Sequence, residues 1–122
     1  LDLPYKDNSL ESVSCLHVIE YIGLGRYGDK IDPNGWEKAC KELQRVLAEG
    51  GRLYVSVPIG KSKVCFNAHR VFDVEDVLKA FNELKLLEFS AVDDNGSFMQ
   101  SSDPQVFRKA NYGLGMFVFK KP

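Results

Sequence analysis

The chain has little with which to do chemistry near neutral pH. It carries two histidines, His17 and His69, and three cysteines in 122 residues. Cys15, Cys40 and Cys65 are odd in number and lack metal-ligand spacing. That argues against a disulfide framework and a structural zinc site, and suits reduced thiols in a cytoplasmic protein. Charge of one sign is also lacking: 16 Lys and Arg stand against 17 Asp and Glu, a net charge of −1. Such a balance leaves no electrostatic footprint for nucleic acid or an anionic membrane surface. No apolar run approaches the ~18 residues of a membrane span, and no leader pattern opens the chain. Residue 1 is leucine, not methionine, so we expect a processed product or a piece of something longer. There is no internal repeat. A chain of this length makes one domain that buries roughly two thirds of its unfolded surface.

What is there is organised around Ser12 to Gly28. Val13, Cys15, Leu16, Val18 and Ile19 are apolar almost without interruption. That predicts a strand over about 12–19 buried on both faces. It runs into a glycine-rich loop carrying His17, Glu20, Arg26, Tyr27 and Asp29. Open α/β sheets build sites in this way, beyond the carboxyl ends of their strands. The chain before it, Leu1 to Asn8, reads as the end of a strand and a turn. After it, Asp32 and Pro33 open a helix whose apolar face is Trp36, Ala39, Cys40, Leu43, Val46 and Leu47, stopped by Gly50 and Gly51. Alternation predicts a strand at 52–57, ended by Pro58. A polar loop at 60–69 and a helix opening at Asp73 follow, then a strand at 86–92. A long polar stretch spans 93–111, and an apolar strand at 112–119 suits a central position.

The polar residues fall on two loops. His17 and Glu20 stand at the mouth of the first strand, where a histidine serves as general base toward a hydroxyl or amine, an effect typically worth about 10²–10⁴ in rate. Glu20 is placed to orient His17 or to meet Arg26. Asn67, His69 and Arg70 follow the next strand. If the two strands are parallel neighbours, His17 and His69 face one cleft. Arg70 would then bind an acidic substrate group, or the loop is tied down by its own side chains. Gly23-Leu24-Gly25-Arg26-Tyr27-Gly28 matches G-x-G-x-x-G, but no helix opens at Gly28 and the next strand ends without a carboxylate for a ribose. It reads as a flexible loop. His17, His69, Cys65, Glu20 and Asp94 lack ligand spacing, so no metal is expected.

LPYKDNSLESVSCLHVIEYI followed by KELQRVLAEGGRLYVSVP resembles the passage of class I methyltransferases from an "LPF-D-S-D" turn through the fourth strand to "E-RVLKPGG-L" and the fifth. HVIEYIGLGRYGD and VCFNAHRVF are similar to one branch, the uncharacterised family catalogued as domain of unknown function 268. The resemblance implies an α/β chain forming the second half of a Rossmann-like methyltransferase fold. Its sheet would be mixed, with an antiparallel C-terminal strand pair and two main helices. It implies S-adenosylmethionine as cofactor, with Asp2 and Leu3 near adenine and Leu16 and His17 near the methionine end. The glycine loop and ribose carboxylate that dominate such binding precede the segment matched. Asp2, Leu3, Leu16 and His17 thus become candidate cofactor contacts. Arg26, Tyr27, Asn67 and Arg70 are candidates for substrate, and His17, Glu20 and His69 for chemistry.

Two functions follow. One is methyl transfer to an oxygen or nitrogen of a small molecule or saccharide, once the missing half completes the fold. The other is a non-catalytic α/β binding or assembly module. In either case the strand at 12–19 is expected to be covered by the rest of a longer chain or by a second copy of the protein.

Overall fold

The computed structural model describes residues 2–25, 28, 30–65, 69–100, 103–107, 110 and 113–122. Strand β1 (Leu10–Leu16) is followed by a 3₁₀ turn (Ile19–Tyr21) and helix α1 (Gly35–Val46). Strand β2 (Leu47–Ile59) leads to short strands β3 (Lys63–Cys65) and β4 (His69–Val71), then to helix α2 (Val74–Ala80). Strand β5 (Lys85–Val92), the two-residue β6 (Phe98–Met99), a second 3₁₀ turn (Pro104–Phe107) and β7 (Gly113–Lys120) complete the chain. The main sheet has the order β1-β2-β7-β5-β6, with β1 and β2 parallel and every other pair antiparallel. It is the mixed sheet with an antiparallel closing pair that the resemblance implies. β7 lies inside it, as its apolar run requires.

One register line explains the core. Cys15, Val55, Phe117 and Phe89 stand side by side across four strands, all buried. They pack with Cys40 and Leu43 of α1 and Val77 of α2. Phe89 and Phe117 meet at 4.9 Å, and Phe81, just past α2, reaches Phe119 at 5.0 Å. Such pairs add about 0.5–1.5 kcal/mol beyond the area they bury.

Gln44 joins the helices. Its amide nitrogen donates to the Cys40 and Ala80 carbonyls at 3.3 and 2.9 Å, and its oxygen accepts the Glu83 N–H at 3.0 Å. Lys121 closes the end of α1, donating to the Gln44 and Leu47 carbonyls at 2.8 and 2.9 Å. Such a cation answers both the orphan carbonyls and the negative end of the helix dipole.

Several boundaries differ from the sequence reading. β1 ends at Leu16 and is not buried on both faces: Leu16 is 57% exposed and Val18 46%. The reason is its place at the end of the strand order, with the helices packed on one face only. α1 starts at Gly35, with Asp32 accepting the Asn34 N–H at 3.0 Å instead of capping directly. Val46 ends it, so the glycine pair lies in β2. Pro58 does not end that strand; it pairs with Leu114, and its carbonyl accepts the Phe72 N–H at 3.0 Å. The expected loop at 60–69 contains β3, and the polar stretch at 93–111 contains β6. Residues 2–9 hold no strand. Instead they lie along α1, where the Leu3 N–H donates to Glu42 at 2.6 Å and the Arg45 fork reaches the Tyr5 and Leu3 carbonyls.

Candidate functional site

The site begins where β1 ends. The His17 N–H donates to the Ser56 carbonyl at 3.0 Å, the last rung between β1 and β2. His17 then takes φ +57°, in the left-handed region that is uncommon for residues other than glycine, although histidine shares with asparagine and aspartate a several-fold preference for it. Held strain of this kind is concentrated at functional positions. The chain turns at once into the 3₁₀ segment, pinned by Ile19, which is 2% exposed. That reversal carries Glu20 back beneath His17. Nδ1 of His17 lies 3.3 Å from Oε2 of Glu20. The imidazole is half exposed while the carboxylate is 1% exposed.

A buried carboxylate is costly unless its oxygens are satisfied. Oε1 of Glu20 is buried and has no hydrogen-bond partner among the described residues. Burial pushes the Glu20 carboxyl above its ordinary range, while its own backbone N–H first, then the positive forms of His17 and His69, pull it back. Both imidazoles therefore act on one carboxylate. His69 arrives from β4, and its ring meets Tyr21 edge-on with centroids 6.5 Å apart. Arg70 is 6% exposed and donates to the Ile22 carbonyl. The Gly60 N–H donates to the Phe72 carbonyl at 2.9 Å, which ties β4 to the end of β2. These contacts clamp the loops after two parallel strands together at their carboxyl ends.

Of the sequence candidates, His17, Glu20 and His69 are brought together, with Leu16 beside His17 on the open mouth. Asp2 is exposed, and Leu3 is held to α1 through Glu42. Arg70 donates to the Ile22 carbonyl and so ties the two loops together, one of the two roles the sequence offers it. Arg26, Tyr27 and Asn67 lie outside the described residues. Tyr21 was not singled out in the sequence, because its contact with His69 depends on a strand, β4, that the loop composition hides. Gly23 and Gly25 take positive φ, and a Cβ on Gly23 would sit 2.1 Å from the Asp32 carbonyl oxygen. The glycines there close the loop on itself.

Cys15 and Cys40 are poor nucleophiles. Burial, and then the charge of Glu20, push the Cys15 thiol up to about 11; burial pushes Cys40 up to about 12. Among the described residues no three His, Cys, Asp or Glu converge to hold a metal ion. None of the helices they form is long and apolar enough to cross a membrane.

A mixed sheet of this order, two helices on one face and a polar cluster beyond the carboxyl ends of its parallel pair define a methyltransferase-like α/β protein. Residues 4–117 match the family described as Caenorhabditis protein of unknown function, DUF268, and the chain belongs to it. An uncharacterised Methanocaldococcus jannaschii protein, MJ0638, is 27% identical over 114 residues, which cover 89% of this chain and 45% of that protein. Among solved structures, the SpnF cyclase superposes with TM-score 0.64 at 15% identity, over 99% of this chain and 54% of its own. The N-methyltransferase NodS from Bradyrhizobium japonicum, bound to S-adenosylhomocysteine, superposes with TM-score 0.58 at 16% identity, over 98% of this chain and 50% of its own. The chain thus spans about half the length of these proteins.

Proposed function

We propose that this chain is the acceptor-side half of an S-adenosylmethionine-dependent methyltransferase, acting on an oxygen or nitrogen of a small molecule or saccharide when a cofactor-binding half completes it. The observation that carries the reading is the Glu20–His17 pair at the carboxyl end of β1, in a fold shared with methyltransferases. When bound, S-adenosylmethionine supplies an electrophilic methyl group. Leu16 and His17 fit its methionine end, since an exposed apolar side chain adjoins an exposed polar one. The glycine loop and ribose carboxylate that dominate such binding are proposed to come from the cofactor-binding half. His69 supports Glu20, and Arg26, Tyr27 and Asn67 are proposed to line the acceptor side. The cytoplasm is the compartment we propose for it.

A second reading, a non-catalytic binding or assembly module, is favoured by the exposed apolar edge at Leu16 and Val18. Titration of the purified chain with S-adenosylmethionine, followed by amide NMR, separates the two. The enzyme reading expects weak binding, with a dissociation constant of about 1 mM (~4 kcal/mol), and shifts confined to Leu16–Glu20. No shift in that segment at several-fold higher ligand would favour the module. Micromolar binding would refute the view that the main cofactor contacts lie outside this chain.

A further inference from the structure

The Glu20 carboxylate is in the wrong place for a purely structural group. It is 1% exposed, one oxygen is buried without a hydrogen-bond partner among the described residues, and the other faces a histidine whose backbone is left-handed. Most buried polar side-chain atoms have a hydrogen-bond partner, and Oε1 of Glu20 has none among the described residues. The nearby guanidinium, Arg70, donates to the Ile22 carbonyl. The titratable groups acting on Glu20 are His17 on its own loop, Cys15 on β1 and His69 on β4.

We propose that Glu20 is a positioning residue that fixes the tautomer of His17, with the proton on Nδ1, and that His17 Nε2 is the base for a hydroxyl acceptor. This rests on the methyl-transfer reading above and narrows its acceptor to an alcohol or phenol. With the proton on Nδ1, the 3.3 Å contact to Glu20 Oε2 is a donated hydrogen bond, and Nε2 then carries the free lone pair on a half-exposed ring. The acceptor O–H proton passes to Nε2. The oxygen uses its electron pair to bond the methyl carbon, and the sulfur of S-adenosylmethionine keeps the pair of the broken S–C bond. The imidazolium that forms is neutralised by the carboxylate behind it and later returns its proton to water. A hydroxyl needs this help because it is a poor nucleophile until its proton leaves. An amine already presents a lone pair. Leu16 and Val18, exposed on either side of His17, would meet the carbon framework that bears the hydroxyl.

The test is the imidazole itself. Long-range ¹H–¹⁵N NMR on the wild-type chain at a pH where His17 is neutral should show the Nδ1–H tautomer. The Glu20→Leu variant should shift the population toward Nε2–H. Glu20→Gln, which keeps the shape and an accepting oxygen, should retain Nδ1–H. An Nε2–H tautomer in the wild type would overturn the proposal without any variant. So would a tautomer unchanged in Glu20→Leu that gives a native amide spectrum. In the completed enzyme, Glu20→Gln should lower kcat about 10²-fold with hydroxyl acceptors and leave KM within about twofold. Equal loss for amine acceptors would overturn the acceptor class. Absence of all methyl transfer beside a correct tautomer would reject the methyltransferase reading and, with it, the base role, leaving only the positioning contact.

Discussion

At the scale of single residues, Glu42 shows a carboxylate used quite differently from Glu20. Glu42 is held by Arg45, which donates from Nε at 2.6 Å and from Nη2 at 2.9 Å, and by the Leu3 N–H. Those bonds lower its pKa from 4.5 to about 2. A depressed carboxyl contributes stability that is fully present above its unfolded value and is lost as pH falls toward its folded value. We therefore expect the wild type to lose stability between pH 4.5 and about 2. Glu42→Gln should lose less over the same interval, read as urea midpoints at pH 6 and pH 3. Equal losses would mean that the Arg45 fork contributes nothing through charge. Gly23 gives a second expectation. At φ +79°, with the Asp32 carbonyl where a side chain would go, Gly23→Ala meets both a left-handed penalty and a backbone clash. We expect at least ~2 kcal/mol of destabilisation in chemical unfolding; a change under ~0.5 kcal/mol would show that the loop rearranges freely. Neither the left-handed turn at His17 nor the burial of Arg70 is legible in the sequence. Each depends on a partner brought from another loop, and residue type alone does not say whether a guanidinium faces solvent or a carbonyl.

At the scale of elements, the apolar patterns were legible and their ends were not. Alternation at Leu53, Val55 and Val57 reports a strand because one face is buried against helices. The same strand continues through Gly50 and Gly51, which exchange hydrogen bonds with Lys121 just past β7, and through Pro58, which pairs with Leu114; such partners leave no mark on the local sequence. Gln44 is the clearest case. Within a helix it looks like a surface residue, yet it is 2% exposed and bridges α1 to the turn after α2. Gln44→Ala would leave the Ala80 carbonyl and the Glu83 N–H unpaired next to a new cavity. A buried unsatisfied group costs about 1–3 kcal/mol, so we expect ~2–4 kcal/mol overall. Hydrogen exchange should show α2 opening faster than the β2–β7 ladder. Uniform acceleration across the molecule would instead mean that the two helices and the sheet unfold as one unit whatever joins them.

At the scale of the whole molecule, the open edge of β1 is the feature the strand order leaves unresolved. The sequence reading expected this strand to be covered because its side chains are apolar. The structure places it at the end of the sheet, with Leu16 and Val18 largely exposed. Successive residues of a strand direct their backbone groups to opposite sides. The His17 N–H faces Ser56 of β2, so the amides of Ser14 and Leu16 face the open side. In the N-terminal segment, the Asn8 and Ser9 N–H groups are turned to the end of α1, where they donate to the Arg45 and Val46 carbonyls. Edge strands are normally blunted by charge, proline or a bulge; β1 has Glu11 and a break in register between Leu10 and Ser12, but from Ser12 to Leu16 it has no charge and no proline. A parallel strand with exposed apolar side chains at a free edge also departs from the usual burial of parallel pairs. We therefore expect the edge to be covered in the working protein by a longer chain or a second copy. That half of the span of MJ0638 and of NodS lies outside the matched region agrees with the first. The measurement is hydrogen exchange at Ser14 and Leu16, with Cys15 and His17 as internal references, alongside light scattering at several dilutions. If the edge is free in the isolated chain, Ser14 and Leu16 should exchange far faster than their neighbours in dilute monomer. Any protection of those two amides should rise with concentration or in a longer polypeptide. Slow exchange at both positions in a dilute monomer of these residues alone would show that the edge needs no partner.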